Sequence, residues 1–183
     1  MFICVLAGEI NGYINNLNII DTQNITINIA PLVEEFLKAI PIIYVCFLFK
    51  PSKQKIAEYS LALGVGFATL ENISVLLSSN ISLSYVIFRA IGAGMMHGIC
   101  TLIVALAMRS VIDKKELYLS GTLAALSLCT IYHSIYNMLI TSQYIIVGVI
   151  LPIITFIILI AIDYYNNKNK KDKTTNKVTF FIF

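Results

Sequence analysis

The sequence predicts an all-α fold, a polytopic bundle of about five membrane-spanning helices. Three observations lead to this expectation. Of the 183 residues, 58% are hydrophobic and only 13% are charged, whereas a soluble domain is about 45–50% apolar and about 25% charged. The mean hydropathy is +0.83. The apolar residues also fall into runs of about 20 residues, the length that crosses a bilayer as a helix.

Polar segments set the bounds of the predicted helices. The runs cover Ala30–Phe49, Ile56–Ser78, Leu83–Met108, Leu117–Ile140 and Tyr144–Ile162. Three parts follow from this pattern: an extracytoplasmic N-terminal segment at residues 1–29, a transmembrane domain at 30–163, and a basic cytoplasmic tail at 164–183. The tail and the loops leave no stretch long enough for a separate soluble domain.

The basic residues outside the predicted spans lie in alternate loops, and therefore on one side of the membrane. They are Lys50, Lys53, Lys55, Arg109, Lys114, Lys115, Lys168, Lys170, Lys171, Lys173 and Lys177. The opposite segments (1–29, 79–82 and 141–143) contain no Lys or Arg. By the positive-inside rule the basic side is cytoplasmic. Topology thus explains the net charge of +3, which calls for no nucleic-acid partner. We expect an integral, multi-pass protein of a bacterial-type plasma membrane.

Ionisable residues occur inside these apolar runs, where lipid disfavours them. They are Glu34, Glu35, Lys38, Glu71, Arg89, His97 and His133. A charged group at mid-membrane costs about 2.5–3.5 kcal/mol on insertion scales, so such residues face one another or a water-filled cavity and mark functional sites by default. Counted along the helices at 1.5 Å per residue, most lie in the outer half of the bilayer. The sequence therefore predicts one polar cluster built from four helices.

Spacing within the helices supports this cluster. Lys38 follows Glu34 by four residues and Glu35 by three, so it can pair with either carboxylate. His133 and Asn137 are four residues apart and share a face. Asn72 and Thr101 also lie on the predicted helices, where such residues also act as hydrogen-bonding glue between helices.

Two histidines and three carboxylates in a dry pocket suit the activation of water for hydrolysis. One arrangement is a zinc site made of Glu71, His97 and His133, with Glu34 or Glu35 as the general base. A metal-free arrangement would use one glutamate to activate water and His133 with Asn137 to stabilise the oxyanion. The sequence has no HExxH motif, so zinc stays one alternative of two.

Four stretches, each on its own predicted helix, resemble the PrsW-type intramembrane proteases, which share motifs with the CAAX-protease and bacteriocin-processing group. They are Pro31–Lys38, Gly66–Asn72, Met96–Thr101 and His133–Asn137, with Arg89 between the second and third. The wider group usually has Arg in place of Lys38 and His in place of Glu71, so this chain is more similar to the PrsW branch. The helix that precedes the glutamate pair in the family is expected to be missing or reduced here.

This resemblance implies an intramembrane peptidase that cuts membrane-anchored proteins near the outer face; one family member cuts an anti-sigma factor. The implied catalytic residues are Glu34, Glu35, Glu71, His97, His133 and Asn137, with Lys38, Arg89, Asn72 and Thr101 in support. Two other classes stay open. A non-catalytic binding or immunity protein could keep the same fold, and an ion-coupled transporter could use the same residue types, although no polar path crosses the predicted bundle. The sequence does not indicate an oligomeric state.

Overall fold

The structure, a computed structural model, describes residues 2–78 and 83–179. Within these residues the chain is a bundle of helices with no strand. The helices are α1 (Phe2–Asn16), α2 (Thr22–Asn24), a π-helix (Ile25–Ile29), α3 (Ala30–Phe49), α4 (Lys53–Ser78), α5 (Leu83–Val111), α6 (Lys115–Ile140) and α7 (Ile145–Thr179). The predicted all-α bundle is confirmed.

Four of these helices are long and apolar enough to cross a membrane. The segments are Lys53–Leu77, Tyr85–Val111, Glu116–Ile140 and Ile145–Tyr165. Helix α3 has 20 residues and matches the first predicted span in its bounds. It differs from the other four because it carries Glu34, Glu35 and Lys38, all of them buried. Its length is that of a span, and its charges need partners from the rest of the bundle.

Helix α5 lies at the centre of the bundle and contacts α3, α4, α6 and α7. Its core-facing side is almost fully buried and includes Ala93, Met96, Cys100, Val104 and Met108. The large apolar side chains that point away from the core are exposed, as expected for helices that face lipid. His97 is therefore carried by the helix that every other long helix in the described chain packs against.

The N-terminal segment forms ordered helices that pack on the bundle. Helix α1 has 15 residues, or about 22 Å at 1.5 Å per residue, and contacts α3 and α4. Asp21 caps the short α2 by accepting a hydrogen bond from the backbone N–H of Asn24 at 2.8 Å. The π-helix then leads directly into α3 and contacts α6. The sequence had predicted an extracytoplasmic segment here and had not predicted these helices.

At the other end of the chain, α7 continues as a helix from Ile145 to Thr179, beyond the predicted span and through most of the basic tail. The predicted outer loop at residues 79–82 lies outside the described residues. The last four residues, 180–183, also lie outside them.

Helices α4 and α5 are in close backbone contact at Gly64. A Cβ atom added there would lie 2.5 Å from the carbonyl oxygen of His97 and 2.8 Å from Cα of Gly98. Both are backbone atoms, which cannot move aside without shifting the helix. Gly64 therefore sets the separation of the two helices at the level of His97, and small residues at helix contacts commonly do this in membranes.

We expect Gly64→Ala to lower the free energy of unfolding by about 1–3 kcal/mol, because the added methyl group overpacks two backbones. Thermal unfolding of the purified protein in detergent measures it. Gly94→Ala is the matched control, since a Cβ there meets nothing within 4 Å and gains the same helix propensity. Equal stability of the two variants would contradict the assigned close contact.

Candidate active site

Helices α3, α4, α5 and α6 bring the predicted ionisable residues into one connected cluster. Its members are Glu34, Glu35, Lys38, Glu71, Arg89, His97 and His133. Glu35, Lys38, His97 and His133 are each only 1% exposed. The prediction that these side chains face one another is confirmed.

One half of the cluster is a chain of contacts from a lysine through a carboxylate to an imidazole. Lys38 Nζ donates to Glu35 Oε1 at 2.6 Å, one helical turn away on α3. Glu35 Oε1 also lies 2.9 Å from His133 Nδ1 on α6. Of the two pairings that the sequence allowed for Lys38, the structure has the one with Glu35. A charged pair this deeply buried needs these hydrogen bonds to offset the cost of desolvation.

The other half repeats the same order of groups. Arg89 Nη2 donates to Glu71 Oε1 at 2.6 Å, and Glu71 Oε2 lies 2.9 Å from His97 Nε2. Arg89 Nη1 also donates to the side-chain oxygen of Asn72. Asn72 in turn donates to the carbonyl of Ala68 at 2.8 Å. Both oxygens of the Glu71 carboxylate therefore have partners, and the carboxylate is held between α4 and α5.

The two halves meet at the imidazole rings. Lys38 Nζ lies 2.8 Å from His97 Nδ1, and the rings of His97 and His133 stand edge to face with centroids 4.7 Å apart. Phe67 forms an apolar wall, with its ring 5.2 Å from that of His97 and 5.1 Å from Lys38 Nζ. Phe67 thus packs an apolar ring of α4 against both His97 and Lys38.

These contacts fix which nitrogen of each ring carries the proton. An ammonium group has no lone pair, so His97 accepts from Lys38 through an unprotonated Nδ1 and donates to Glu71 through Nε2. His133 donates through Nδ1 to Glu35, so in the neutral form of this ring the lone pair is on Nε2. Each ring therefore donates to a carboxylate with one nitrogen. The lone pair of His97 is taken by Lys38, whereas Nε2 of His133 faces Glu34. A carboxylate that accepts from one nitrogen also orients the histidines that bind metals in proteins.

Glu34 differs from the other two carboxylates. Its Oε2 is buried and has no hydrogen-bond partner among the described residues. His133 Nε2 lies 3.8 Å from this oxygen, beyond hydrogen-bond distance. Buried polar atoms nearly always have a partner, so this oxygen indicates a site for a further group. The two basic side chains of the cluster, Lys38 and Arg89, pair with Glu35 and Glu71, so Glu34 is the carboxyl group that has no basic partner in the cluster.

Glu34, His97 and His133 could together hold a metal ion, since one ligand atom from each lies within 4.8 Å of the others. The donor set, two imidazoles and one carboxylate, is one that zinc uses in catalytic sites. The sequence had suggested Glu71 as the carboxylate of this set. In the structure the Glu71 oxygens contact Arg89 and His97, and Glu34 faces His133.

Two predicted site residues, Asn137 and Thr101, donate to backbone carbonyls and not to the side chains of the cluster. Asn137 Nδ2 donates to the carbonyl of Thr26 in the π-helix at 2.9 Å. Thr101 Oγ1 donates to the carbonyl of His97 at 2.7 Å within its own helix. Thr26 itself was not predicted, because the contact uses its backbone and a backbone carbonyl leaves no signature in the sequence. The π-helix that carries it is also a feature that often occurs at functional sites.

Comparison with known protein families finds a match over most of the chain. The family is described as PrsW family intramembrane metalloprotease, and the match covers residues 2–162. It begins in α1 and ends in α7, so it includes every residue of the cluster. No curated protein and no solved structure matches the chain.

We expect Lys38→Met to lower the free energy of unfolding by about 3–5 kcal/mol, because it leaves Glu35 as a buried charge without its ammonium partner. Adding Glu35→Gln should restore much of the loss, since it removes that charge. Unfolding of the single and double variants in detergent gives the coupling energy. If the loss of unfolding free energy in the double variant equals the sum of the losses in the two single variants, the Lys38–Glu35 pair is not the interaction that stabilises α3.

Proposed function

The chain belongs to the PrsW family of intramembrane metalloproteases, and we propose that it cleaves membrane-anchored proteins at a divalent cation held by Glu34, His97 and His133. The observation that carries this proposal is the buried, unpartnered oxygen of Glu34 beside the imidazoles of His133 and His97. The lone pair of His97 accepts from Lys38, so the Lys38 ammonium would turn away from His97 when a cation binds. Zinc suits this donor set, and when bound it would act as a Lewis acid that activates water and polarises a peptide carbonyl.

The other residues of the cluster position these three. Glu35 and Glu71 each accept a hydrogen bond from one imidazole and so orient its lone pair. Lys38 and Arg89 neutralise the two carboxylates and hold them in place. Asn137 ties α6 to the π-helix ahead of α3, the helix that carries Glu34. We assign Asn137, Asn72 and Thr101 supporting roles through these contacts.

A glutamate-type hydrolase is the second candidate, and the same oxygen favours it. In that reaction Glu34 would take a proton from water within the pocket, with His133 Nε2 as the nearest group to share it. Glu35 suits this step less well, because its Oε1 already contacts both Lys38 and His133. Both mechanisms therefore depend on Glu34, and they differ in whether a metal is needed.

The position of the cluster supports cleavage near the outer face. Glu34 lies in the second turn of α3, and His133 lies seven residues, or about 10 Å, before the end of α6 at Ile140. Both positions are at the end of the bundle opposite the loops rich in lysine. With the basic loops cytoplasmic, a substrate would be cut where its membrane segment approaches the outer surface, as in an anti-sigma factor anchored by one helix.

We expect Glu34→Gln and His133→Ala each to lower proteolysis by at least about 100-fold, because each removes a group that acts on the water or the carbonyl. The measurement is a comparison of extracytoplasmic fragments of membrane proteins in cells that express each variant at equal level. Glu58→Gln is the matched control, since Glu58 is exposed on α4 and contacts Gln54. Fragments that persist in the Glu34→Gln cells would reject the assigned site, and no fragments in any cell would favour the non-catalytic binding protein.

We expect the purified protein to retain about one equivalent of zinc, and Glu34→Gln and His133→Ala to lose it, because each removes one of three ligands. Elemental analysis after removal of loosely bound metal measures this. The Glu58→Gln protein should retain the metal. A protein that is active without stoichiometric metal would support the glutamate-type mechanism instead.

A further inference from the structure

A cavity lies at the opposite end of the bundle from the cluster, where α3 ends and α4 begins. Its volume is about 590 Å³. The residues that line it include Val45, Phe49, Lys50, Ser52, Lys55 and Tyr59. None of them belongs to the cluster described above, and the proposed protease reaction gives this cavity no role.

The cavity combines two kinds of surface. Val45 and Phe49 of α3 form an apolar wall, and Phe49 is 69% exposed. Lys50 and Lys55 also line the cavity and bring two positive charges to it, and Ser52 lies between them in the sequence. An apolar wall beside two cations fits a molecule that carries an anionic group and a hydrocarbon chain together.

The backbone of the rim is held by contacts that do not involve the lysine ammonium groups. Lys50 ends α3 in the left-handed conformation (φ 41°, ψ 53°), and its N–H donates to the carbonyl of Cys46 at 3.2 Å. Arg109 on α5 donates to the carbonyl of Pro51 at 2.6 Å. Ser52 Oγ accepts from the N–H of Lys55 at 3.3 Å. The backbone around the cavity is therefore held without the lysine ammonium groups, and replacing these groups leaves that backbone in place.

Among the described residues, the Lys50 ammonium pairs with Asp113, and this ion pair is exposed to solvent. Its Nζ lies 3.2 Å from Asp113 Oδ1, and the two side chains are 63% and 62% exposed. The hydrogen bond from Lys50 lowers the pKa of Asp113, so the carboxylate is ionised at neutral pH. An exposed pair of this kind contributes little energy. The ammonium can therefore turn from Asp113 to an anion in the cavity at small cost.

The position of the cavity along the membrane-spanning helices indicates which kind of anion it binds. The apolar sequence of α3 ends at Phe49, and the membrane-crossing part of α4 begins at Lys53, so the cavity lies where hydrocarbon meets water. It is also at the end of the bundle that carries the basic loops. Basic pockets between helices at this level bind the headgroups of anionic lipids. A free phosphate ion would use the lysines and leave the apolar wall uncovered.

We propose that this cavity is a binding site for one anionic phospholipid, with its phosphate at Lys50 and Lys55 and an acyl chain along Val45 and Phe49. Each lysine near an anionic headgroup strengthens binding by about fivefold, so removal of both should weaken it by roughly 25-fold. A bound lipid would link the end of α3 to the start of α4, and it should stabilise the folded protein by mass action.

The test uses the full chain purified in a neutral detergent, with thermal unfolding followed as lipid is added. The probes are phosphatidylglycerol, phosphatidylcholine with matched acyl chains, and inorganic phosphate. The variant is Lys50→Gln/Lys55→Gln. Its matched control is Lys53→Gln/Lys168→Gln, which removes the same charge from two exposed lysines that do not line the cavity.

We expect phosphatidylglycerol to raise the melting temperature of the unmodified and control proteins at low micromolar lipid, and to need roughly 25-fold more lipid for the same shift in the Lys50→Gln/Lys55→Gln protein. Phosphatidylcholine should give a much smaller shift. An equal shift with phosphatidylcholine, or with inorganic phosphate alone, would overturn the proposal. Equal loss of the response in the control variant would also overturn it, since the effect would then come from net charge.

Discussion

The structure depends on one constraint, that charges inside an apolar bundle must be paired. Glu35 and Lys38 are each 1% exposed, and neither could lie there without the other. The bundle meets this constraint twice in the same order, as Lys38–Glu35–His133 and as Arg89–Glu71–His97. Each of these contact chains joins two helices, so the pairing that permits burial also fixes how the helices are placed. The arrangement of the site and the stability of the bundle follow from the same contacts.

Close packing makes this pairing possible. Gly64 lets the backbone of α4 reach that of α5 at His97, which brings Glu71 within hydrogen-bond distance of the ring. His97 stands on the helix that α3, α4, α6 and α7 all contact, so its ring has little freedom to turn. Lys38 then reaches it from α3 at 2.8 Å. An active site that must hold its groups within a fraction of an ångström benefits from such a rigid frame.

Much of the site could be predicted from sequence because membrane burial makes polar residues informative. Depth along each helix placed Glu34, Glu35, Glu71, His97 and His133 in one zone, and the structure brings them together. Depth does not determine the rotation of each helix about its axis, so the choice between Glu34 and Glu71 beside His133 could not be predicted. The helices of the N-terminal segment were missed for a similar reason. A segment rich in Asn and Thr is ordered here by contacts with α3, α4 and α6, and these contacts have no local signal in the sequence.

The carboxyl group without a basic partner in the cluster indicates which chemistry the cluster supports. Three carboxylates face two cations, and the third, Glu34, has a buried oxygen with no partner among the described residues. An ionised Glu34 would take a cation or a hydrogen-bond donor as its partner, because an anion beside it would add repulsion in a medium of low dielectric constant. A metal ion and a water molecule both meet this condition, and both are reactants or cofactors of peptide hydrolysis. A proton relay across the membrane would instead need polar groups between this cluster and the basic end. The buried core there includes Val104, Ala105 and Met108 together with the uncharged Ser60 and Thr122. Among the described residues it contains no buried Asp, Glu, Lys, Arg or His, which favours hydrolysis over transport.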